Sequence, residues 1–317
     1  MGGSGDENRM TQVLLSPKTM HFRRYLRHQQ SLNCSILTVN RFADQECHIQ
    51  VPTGLSDQNV IIIHALTPPV HDDIMQLLLM VNAAKRAGCA RVGVFVPYLA
   101  YARQDRAHTN HESLGLALLA QMLHAAGVDA LATIDLHNPA SVIQFPMPVV
   151  NISSFSLFSS LFEQSDGLLV VCPDDGSHER CQQWSSRLKA DKVVMHKHRP
   201  AANQCEIVDV VGQVRGRDCL IIDDMIDTGG TLAKVVELLH AQGAKHIQVI
   251  ATHALLSGPA IDTLRDLPVD GFLITNSIVQ ANLDARWQVV DISPLIDRGV
   301  HQLSVILFDD DYVKRVC

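Results

Sequence analysis

One short stretch of the sequence sets two adjacent carboxylates before a glycine-rich turn. Asp223 and Asp224 follow the apolar run 219–222, and the Thr-Gly-Gly-Thr turn at 228–231 precedes a segment of helical period. Glycines let a backbone approach a phosphate closely, and the free N–H groups at a helix start favour an anion. Carboxylates do not bind phosphate directly, so the pair must serve hydroxyl groups or a metal ion. A sugar phosphate has both the hydroxyl groups and the phosphate that these residues would bind. The alternative is that the carboxylates cap turns and the glycines only shape a loop.

A second candidate is a pair of cationic side chains in a segment that contains proline and asparagine. Lys197 and Arg199 open "HKHRPAANQCEIVD" (196–209), which we expect to be irregular chain between two strands. A mobile loop of this kind can close over a triphosphate. A solvated basic turn is the alternative from local sequence.

Four more polar residues follow predicted strands or apolar segments. His137 and Asp174 each come after a buried strand, and because Mg²⁺ prefers oxygen ligands, residue chemistry favours Asp174 over His137 as a metal ligand. Arg103 and Gln104 follow the segment 96–102. Arginine pairs with nucleotide phosphates and a glutamine amide can orient a substrate, whereas a surface turn is the local alternative.

The elements that must position these residues repeat one local pattern, a helix followed by a glycine and then a short apolar strand. The glycines are Gly88, Gly127 and Gly243, and glycine after a helix is the usual left-handed stop. The strands are continuous apolar runs such as "VGVFV" (92–96) and "CLIID" (219–223), which indicates burial on both faces. The sequence therefore predicts an α/β protein with two doubly wound, mostly parallel sheets.

The length of 317 residues suits two domains of roughly 150 residues each. The pattern breaks near 151–156, where prolines give way to hydroxyl residues before a new helix. We therefore expect a flexible leader at 1–10, a first domain over 11–152 and a second domain over 153–317.

Composition excludes several classes of protein. The net charge is −7 and no block of Lys and Arg exceeds two residues, which argues against a nucleic-acid surface. Eight scattered cysteines form no C-x-x-C pair, so neither a zinc site nor a disulfide framework is indicated and a reduced cytoplasmic protein is the simpler expectation. No apolar run approaches the ~20 residues of a membrane-spanning helix.

Several motifs resemble those of one enzyme family. "IIDDMIDTGGT" (221–231) resembles the 5-phosphoribosyl 1-pyrophosphate loop of the type I phosphoribosyltransferase fold. This loop and the six motifs given next together resemble the ribose-phosphate diphosphokinase family, whose members are also called phosphoribosyl pyrophosphate synthetases. The other motifs, in matching order and spacing, are "NRFADQECHIQV" (40–51), "VPYLAYARQDR" (96–106), "DLH" (135–137), "CPDDG" (172–176), "HKHRP" (196–200) and "ATHALLSGPA" (251–260). The resemblance runs from about residue 36 to residue 307 and implies two phosphoribosyltransferase-like domains.

This resemblance implies an activity and its substrates. The family transfers the pyrophosphoryl group of ATP to the anomeric hydroxyl of ribose 5-phosphate with Mg²⁺, giving 5-phosphoribosyl 1-pyrophosphate and AMP. Such chemistry depends on positioning and on neutralising charge on the phosphate oxygens. The family's adenine-binding segment reaches into a neighbouring subunit, so we expect a homo-oligomer of at least two chains, with no nucleic-acid or membrane partner.

The matching residues fall into four groups by their implied role. They are the catalytic Lys197 and Arg199; the sugar-phosphate ligands Asp223, Asp224, Asp227, Thr228, Gly229, Gly230 and Thr231; the ATP ligands Phe42, Asp44, Glu46, Arg103 and Gln104; and the magnesium ligands His137 and Asp174.

Two segments depart from the family pattern. The turn after Asp174 contains Gly176 alone where a glycine pair is usual, and Asp175 adds a charge that would repel phosphate unless it is metal-bound. Residues 107–112 contain no Lys or Arg where the family is commonly basic. The first departure leaves open a larger acceptor with a ribose 5-phosphate end, such as ADP-ribose. A non-catalytic regulatory homologue is a further alternative. The presence of Lys197, Arg199, His137 and both aspartates of the acidic pair argues against it.

Overall fold

The computed structural model describes residues 11–26, 32–107, 109–164, 166–198, 207–210 and 212–309. The predicted leader, 1–10, lies outside these ranges. The chain divides into two compact units, the first made of Met1–Ser153 with Ser293–Cys317 and the second of Ser154–Ile292.

The first unit is built on a parallel sheet of six strands within the described residues. In spatial order they are β2 (Asn33–Ile36), β1 (Gln12–Leu15), β5 (Asn59–Ile63), β6 (Arg91–Val96), β7 (Ala130–Ile134) and β8 (Val149–Ile152). A separate antiparallel hairpin joins β3 (Thr38–Arg41) to β4 (Cys47–Gln50). The helices are α1 (Arg23–Leu26), α2 (Val70–Arg86), α3 (Gly115–Ala126) and the C-terminal α8 (Ser293–Phe308), with 3-10 turns at Pro17–Phe22 and Pro139–Gln144.

The second unit is built on a sheet of seven strands within the described residues. In spatial order they are β11 (Ile207–Val210), β10 (Asp191–His198), β9 (Leu168–Cys172), β12 (Asp218–Ile226), β13 (His246–Ala254), β14 (Gly271–Thr275) and β15 (Trp287–Val290). All neighbouring pairs are parallel except β10 with β11. The helices are α4 (Phe155–Ser159), α5 (His178–Leu188), α6 (Gly230–Ala241) and α7 (Ala260–Arg265), with a 3-10 turn at Asp175–Ser177.

The central strand of the second sheet is covered on both faces. Ile221 packs in one core cluster with Val235 of α6, and Leu220 packs in another with Trp184 of α5. Burial on both sides is the reason the strand reads as an uninterrupted apolar run. The predicted fold class, two doubly wound and mostly parallel sheets, is confirmed.

The C-terminal helix joins the first unit rather than the second. Val300 and Leu303 of α8 are fully buried, and Asn59 Nδ2 in β5 donates to the carbonyl oxygen of Leu307 at 3.0 Å. A Cβ on Gly299 would collide with the ring of Phe95 in β6, so glycine allows the helix to lie close to that sheet. The expected second domain, 153–317, is therefore corrected: its chain after Ile292 belongs with the first sheet. The apolar period of α8 marks it as a packed helix but does not identify which sheet it covers.

One pair of cysteines forms a disulfide, contrary to the expectation from the sequence. Cys172 at the end of β9 and Cys181 in α5 form a disulfide with their Cα atoms 5.9 Å apart, and both residues are fully buried. Their separation of nine residues matches no motif, so sequence spacing gave no indication of the bridge. The fold brings them together because α5 packs directly against β9.

Across the described residues, none of the helices combines the length and apolarity needed to cross a membrane.

Candidate active site

The acidic pair lies inside a strand rather than after it. β12 pairs with β9 only from Asp218 to Ile221, whereas its pairing with β13 continues to Ile226. The strand therefore has no pairing with β9 from Ile222 onward, at the carboxyl edge of the sheet where α/β folds bind ligands. Asp223 and Asp224 lie in this part of the strand.

The two carboxylates strain each other electrostatically. The side chain of Asp224 is 5% exposed and that of Asp223 is 29% exposed. The backbone N–H of Asp224 donates to Asp223 Oδ1 at 2.8 Å. Burial, and then the adjacent charge of Asp224, raise the pKa of Asp223 well above its usual range. The pair therefore favours a ligand that supplies hydrogen-bond donors or positive charge.

A third residue at this edge, Arg180, was not predicted from the sequence. Arg180 Nη1 lies 3.3 Å from Asp224 Oδ1 and 3.8 Å from Asp223 Oδ1. Its positive charge opposes the rise in the pKa of Asp223. The only signal in the sequence is a basic residue in the first turn of the helix after β9, which by itself is typical of a solvated face.

Asp174 belongs to the same edge of the second unit. Its negative charge adds to the rise in the pKa of Asp223. Ser177 fixes the turn, because its N–H donates to Asp174 Oδ1 at 3.1 Å and its Oγ donates to the Asp174 carbonyl at 2.7 Å. Ser177 therefore has a local structural role in the turn.

The glycine-rich turn connects this edge to α6. Gly229 has φ 78°, and a Cβ there would lie 3.0 Å from Leu264 Cγ, so both backbone and space require glycine. The N-cap residue of α6, Gly229, has no side chain to cap the helix, and the first N–H groups of an α-helix have no intrahelical acceptors. A backbone hydrogen bond holds the start of the turn, because the Ser257 N–H donates to the Asp227 carbonyl at 3.0 Å. Thr228, Gly230 and Thr231 complete the turn and the start of the helix, as the sequence predicted.

The predicted catalytic pair is described only in part. Lys197 lies in β10, with its backbone in register with Val208 of β11. This corrects the expectation of irregular chain from residue 196 onward, because the strand continues to His198. Arg199 lies outside the described residues.

In the first unit, the turn that carries Arg103 and Gln104 is tied to the start of α3. The Gln104 N–H donates to the Tyr101 carbonyl at 2.8 Å, and the Leu116 N–H donates to the Gln104 carbonyl at 3.2 Å. Both Arg103 and Gln104 are exposed. A Cβ at position 115 would lie 2.6 Å from Gln104 Oε1, so Gly115 provides the space that the amide occupies.

Asp105 joins this turn to the segment that contains His137. Its Oδ2 accepts from Asn138 Nδ2 at 2.7 Å and from Ser141 Oγ at 2.8 Å, and its carbonyl accepts from Gln144 Nε2 at 2.6 Å. Burial opposes the charge of Asp105, but these two side-chain donors outweigh it and lower the pKa of the carboxyl. His137 is exposed immediately before Asn138.

Phe42, Asp44 and Glu46 form the tip of the β3–β4 hairpin. All three are exposed, Phe42 to 57%. The Phe42 N–H donates to the Glu46 carbonyl at 2.9 Å, and the Glu46 N–H donates to Asp44 Oδ1 at 3.1 Å. These bonds fix the shape of the tip while leaving the aromatic ring accessible.

The first turn of α2 holds both candidate ATP segments. Asp72 forms an ion pair with Arg41, next to the hairpin tip. His71 Nε2 and the Tyr101 hydroxyl are hydrogen-bonded at 2.7 Å, which fixes the turn before Gln104. Sequence reasoning did not find this connection, because it joins residues thirty positions apart through a helix end.

Comparison with known proteins identifies the family. Residues 17–127 match a model of the N-terminal domain of ribose phosphate pyrophosphokinase, and residues 190–305 match a model of the phosphoribosyl synthetase-associated domain. Ribose-phosphate pyrophosphokinase 1 of Listeria innocua is 34% identical over 282 residues, which cover 88% of this chain and 85% of the relative. The chain belongs to the ribose-phosphate pyrophosphokinase family.

Two further comparisons agree with membership of the pyrophosphokinase family. The ribose-phosphate pyrophosphokinase of Bacillus caldolyticus is 34% identical over 86% of this chain and 89% of the relative. The crystal structure of phosphoribosylpyrophosphate synthetase from Mycobacterium smegmatis superposes with a TM-score of 0.86 at 26% identity, over 93% of this chain and 99% of that one. The resemblance inferred from the motifs is confirmed.

Proposed function

We propose that the protein transfers the pyrophosphoryl group of ATP to the anomeric hydroxyl of ribose 5-phosphate, producing 5-phosphoribosyl 1-pyrophosphate and AMP. The observation that carries the proposal is the acidic pair of β12 beside the glycine-rich start of α6, in a chain of the pyrophosphokinase family. Carboxylates accept from sugar hydroxyls, and helix N–H groups bind a phosphate.

Each candidate residue has a role in this reaction. Asp223 and Asp224 accept from the ribose 2- and 3-hydroxyls, and residues 227–231 bind the 5-phosphate. Arg103 and Gln104 contact ATP. The Phe42 ring stacks on adenine, and Asp44 with Glu46 accepts from its amino group. Lys197 and Arg199 neutralise the charge that develops on the phosphoryl oxygens.

Magnesium fits the residues at the carboxyl edge of the second unit. Asp174 provides carboxylate oxygen, the ligand that Mg²⁺ prefers, and Mg²⁺ bound with nucleotides commonly takes only one or two protein carboxylates. Within the described residues no group of three or more His, Cys, Asp or Glu side chains is placed to hold a metal ion. We assign Asp174, and His137 in the first unit, as ligands; bound Mg²⁺ would offset the phosphate charge.

We also propose self-association into a dimer or larger homo-oligomer. The support is the hairpin tip, whose Phe42 ring is 57% exposed although it is the aromatic group assigned to adenine. A second copy would complete the site by receiving this tip. Because its substrates are ATP and a sugar phosphate, we propose a cytoplasmic location.

The experiment that tests the function is release of AMP from ATP and Mg²⁺ with a panel of acceptors. Ribose 5-phosphate should be the preferred acceptor. Preference for ADP-ribose would support the larger-acceptor alternative, which the unusual turn at 174–180 keeps open. Absence of AMP with every acceptor would leave the regulatory homologue as the function.

A further inference from the structure

Arg180 is a cation held rigidly beside the acidic pair. It lies in the first turn of α5, and the next residue, Cys181, is fully buried and bonded to Cys172 at the end of β9. One turn later Trp184 is 2% exposed and contacts the rings of Phe155 and Phe162 edge-on. The backbone that carries Arg180 is therefore fixed on both sides, so the guanidinium is pre-organised with respect to β12.

The contacts of Arg180 lie on one side of the carboxylates. Its Nη1 is 3.3 Å from Asp224 Oδ1 and 3.8 Å from Asp223 Oδ1. Asp223 Oδ1 also accepts the Asp224 N–H at 2.8 Å. Asp223 Oδ1 is thus held by the backbone of Asp224 and lies near the Arg180 guanidinium.

The positive charge of Arg180 offsets the repulsion between the carboxylates of this edge. Two adjacent carboxylates at a partly buried edge repel each other, and a nearby cation offsets that repulsion. Asp174 adds a third negative charge at the same edge. A vicinal diol needs two carboxylates held in a fixed relative orientation, since each hydroxyl must donate to its own acceptor.

We propose that Arg180 is a positioning residue, which holds Asp223 and Asp224 in the orientation that accepts the two ribose hydroxyls. Its contribution is selective for the sugar phosphate, because its guanidinium contacts the acidic pair, which is assigned to the ribose hydroxyls. This inference rests on the proposed function and adds a determinant of acceptor binding to it.

Three variants test the inference on the full-length protein. Arg180→Gln removes the charge and keeps a hydrogen-bond donor, Arg180→Lys keeps the charge, and Arg187→Gln makes the same charge change at an exposed position of the same helix. KM for ribose 5-phosphate, KM for ATP and kcat are measured by AMP release, and binding of ribose 5-phosphate by calorimetry.

We expect Arg180→Gln to raise KM and Kd for ribose 5-phosphate about tenfold, as for loss of a hydrogen bond to a charged group. KM for ATP should stay within twofold, Arg180→Lys should recover part of the loss, and Arg187→Gln should match the parent. Unchanged sugar-phosphate affinity in Arg180→Gln, or an equal loss for both substrates, would overturn the inference.

Should Arg180→Gln fail to fold, Arg180→Lys decides: a selective rise in KM for ribose 5-phosphate supports the role, and parental values overturn it. A parent that releases no AMP refutes the proposed function itself, together with this inference; an active parent with unaffected variants refutes the inference alone.

Discussion

The side chains of the second unit combine groups that destabilise one another in isolation. Asp223 and Asp224 lie side by side at a partly buried edge, with Asp174 adding negative charge, and burial with this repulsion raises the pKa of Asp223. Sites that hold such a cost commonly have a function, because selection for stability alone would remove it. The neutralising groups are Arg180 and, in the proposed reaction, hydroxyls and magnesium supplied by the ligands.

The acidic pair gives the first prediction. Replacing both residues, Asp223→Asn with Asp224→Asn, should raise KM for ribose 5-phosphate by at least tenfold, since amide oxygens are weaker acceptors than carboxylates. KM for ATP should change by no more than a few-fold. Calorimetry with ribose 5-phosphate measures the effect directly, and Asp266→Asn, an exposed position in the same unit, is the control. Equal affinity in mutant and parent would refute the assignment.

Lys197 gives the second prediction. Lys197→Ala should lower kcat by about 10² or more while ATP affinity stays within several-fold, because a contact made in the transition state appears mainly in kcat. Initial rates and nucleotide binding check this, with Lys245→Ala at an exposed site as the control. A turnover number equal to that of the parent would remove Lys197 from the mechanism.

At the scale of elements, the helix ends organise the candidate site. The first turn of α2 holds the hairpin through Asp72 and the turn before Gln104 through His71. The start of α3 contributes the space at Gly115, and the start of α6 contributes the N–H groups that follow Gly229. Periodicity located these helices, but the connections between their ends depend on how the helices pack, which a single sequence does not encode locally.

Gly115 gives a prediction at this scale. In Gly115→Ala the new Cβ would lie 2.6 Å from Gln104 Oε1 and 2.5 Å from Tyr101 Cδ1, so the turn must shift. We expect KM for ATP to rise several-fold with KM for ribose 5-phosphate unchanged, although alanine itself favours a helix by up to ~1 kcal/mol over glycine. Gly271→Ala is the control, because its Cβ would meet only the Arg286 carbonyl at 3.7 Å. Parental KM for ATP would show that Gln104 does not bind the nucleotide.

For the whole molecule, the sequence predicted the two sheets and the motif residues but not their complete organisation. The strands and the glycines after helices were predictable because backbone conformation and burial leave a local pattern; Gly127, for example, has φ 105° at the end of α3. The return of α8 to the first sheet and the approach of Arg180 to the acidic pair were not. Both depend on contacts between residues distant in sequence, and a periodic helix or a lone arginine has the same local signature in either arrangement.

Acid stability should reveal one buried group of the first unit, His64. Its side chain is fully buried after β5, and its Nε2–H donates to the Asp73 carbonyl at 3.1 Å. Burial is the largest cause that lowers the pKa of His64 to about 4, the cation of Lys18 lowers it further, and the charge of Asp73 opposes both. The folded unit therefore resists protonation of a ring that takes up a proton near pH 6.5 once unfolded.

The sign of the pH dependence follows from these two values. Between about pH 6.5 and pH 4 the unfolded state binds more protons at His64 than the folded state does, so stability present at neutral pH is lost as the pH falls. We expect the free energy of unfolding of the first unit to be about 2 kcal/mol lower at pH 5 than at pH 7.5 from this group alone.

Urea denaturation followed by circular dichroism measures this free energy in the parent and in His64→Gln, which keeps a donor but does not titrate. Both tryptophans, Trp184 and Trp287, lie in the second unit, so their fluorescence reports that unit separately and serves as an internal control. The parent should lose more stability than His64→Gln over this range, with the tryptophan transition shifting equally in both; identical pH slopes in the two proteins by circular dichroism would show that His64 does not carry the effect.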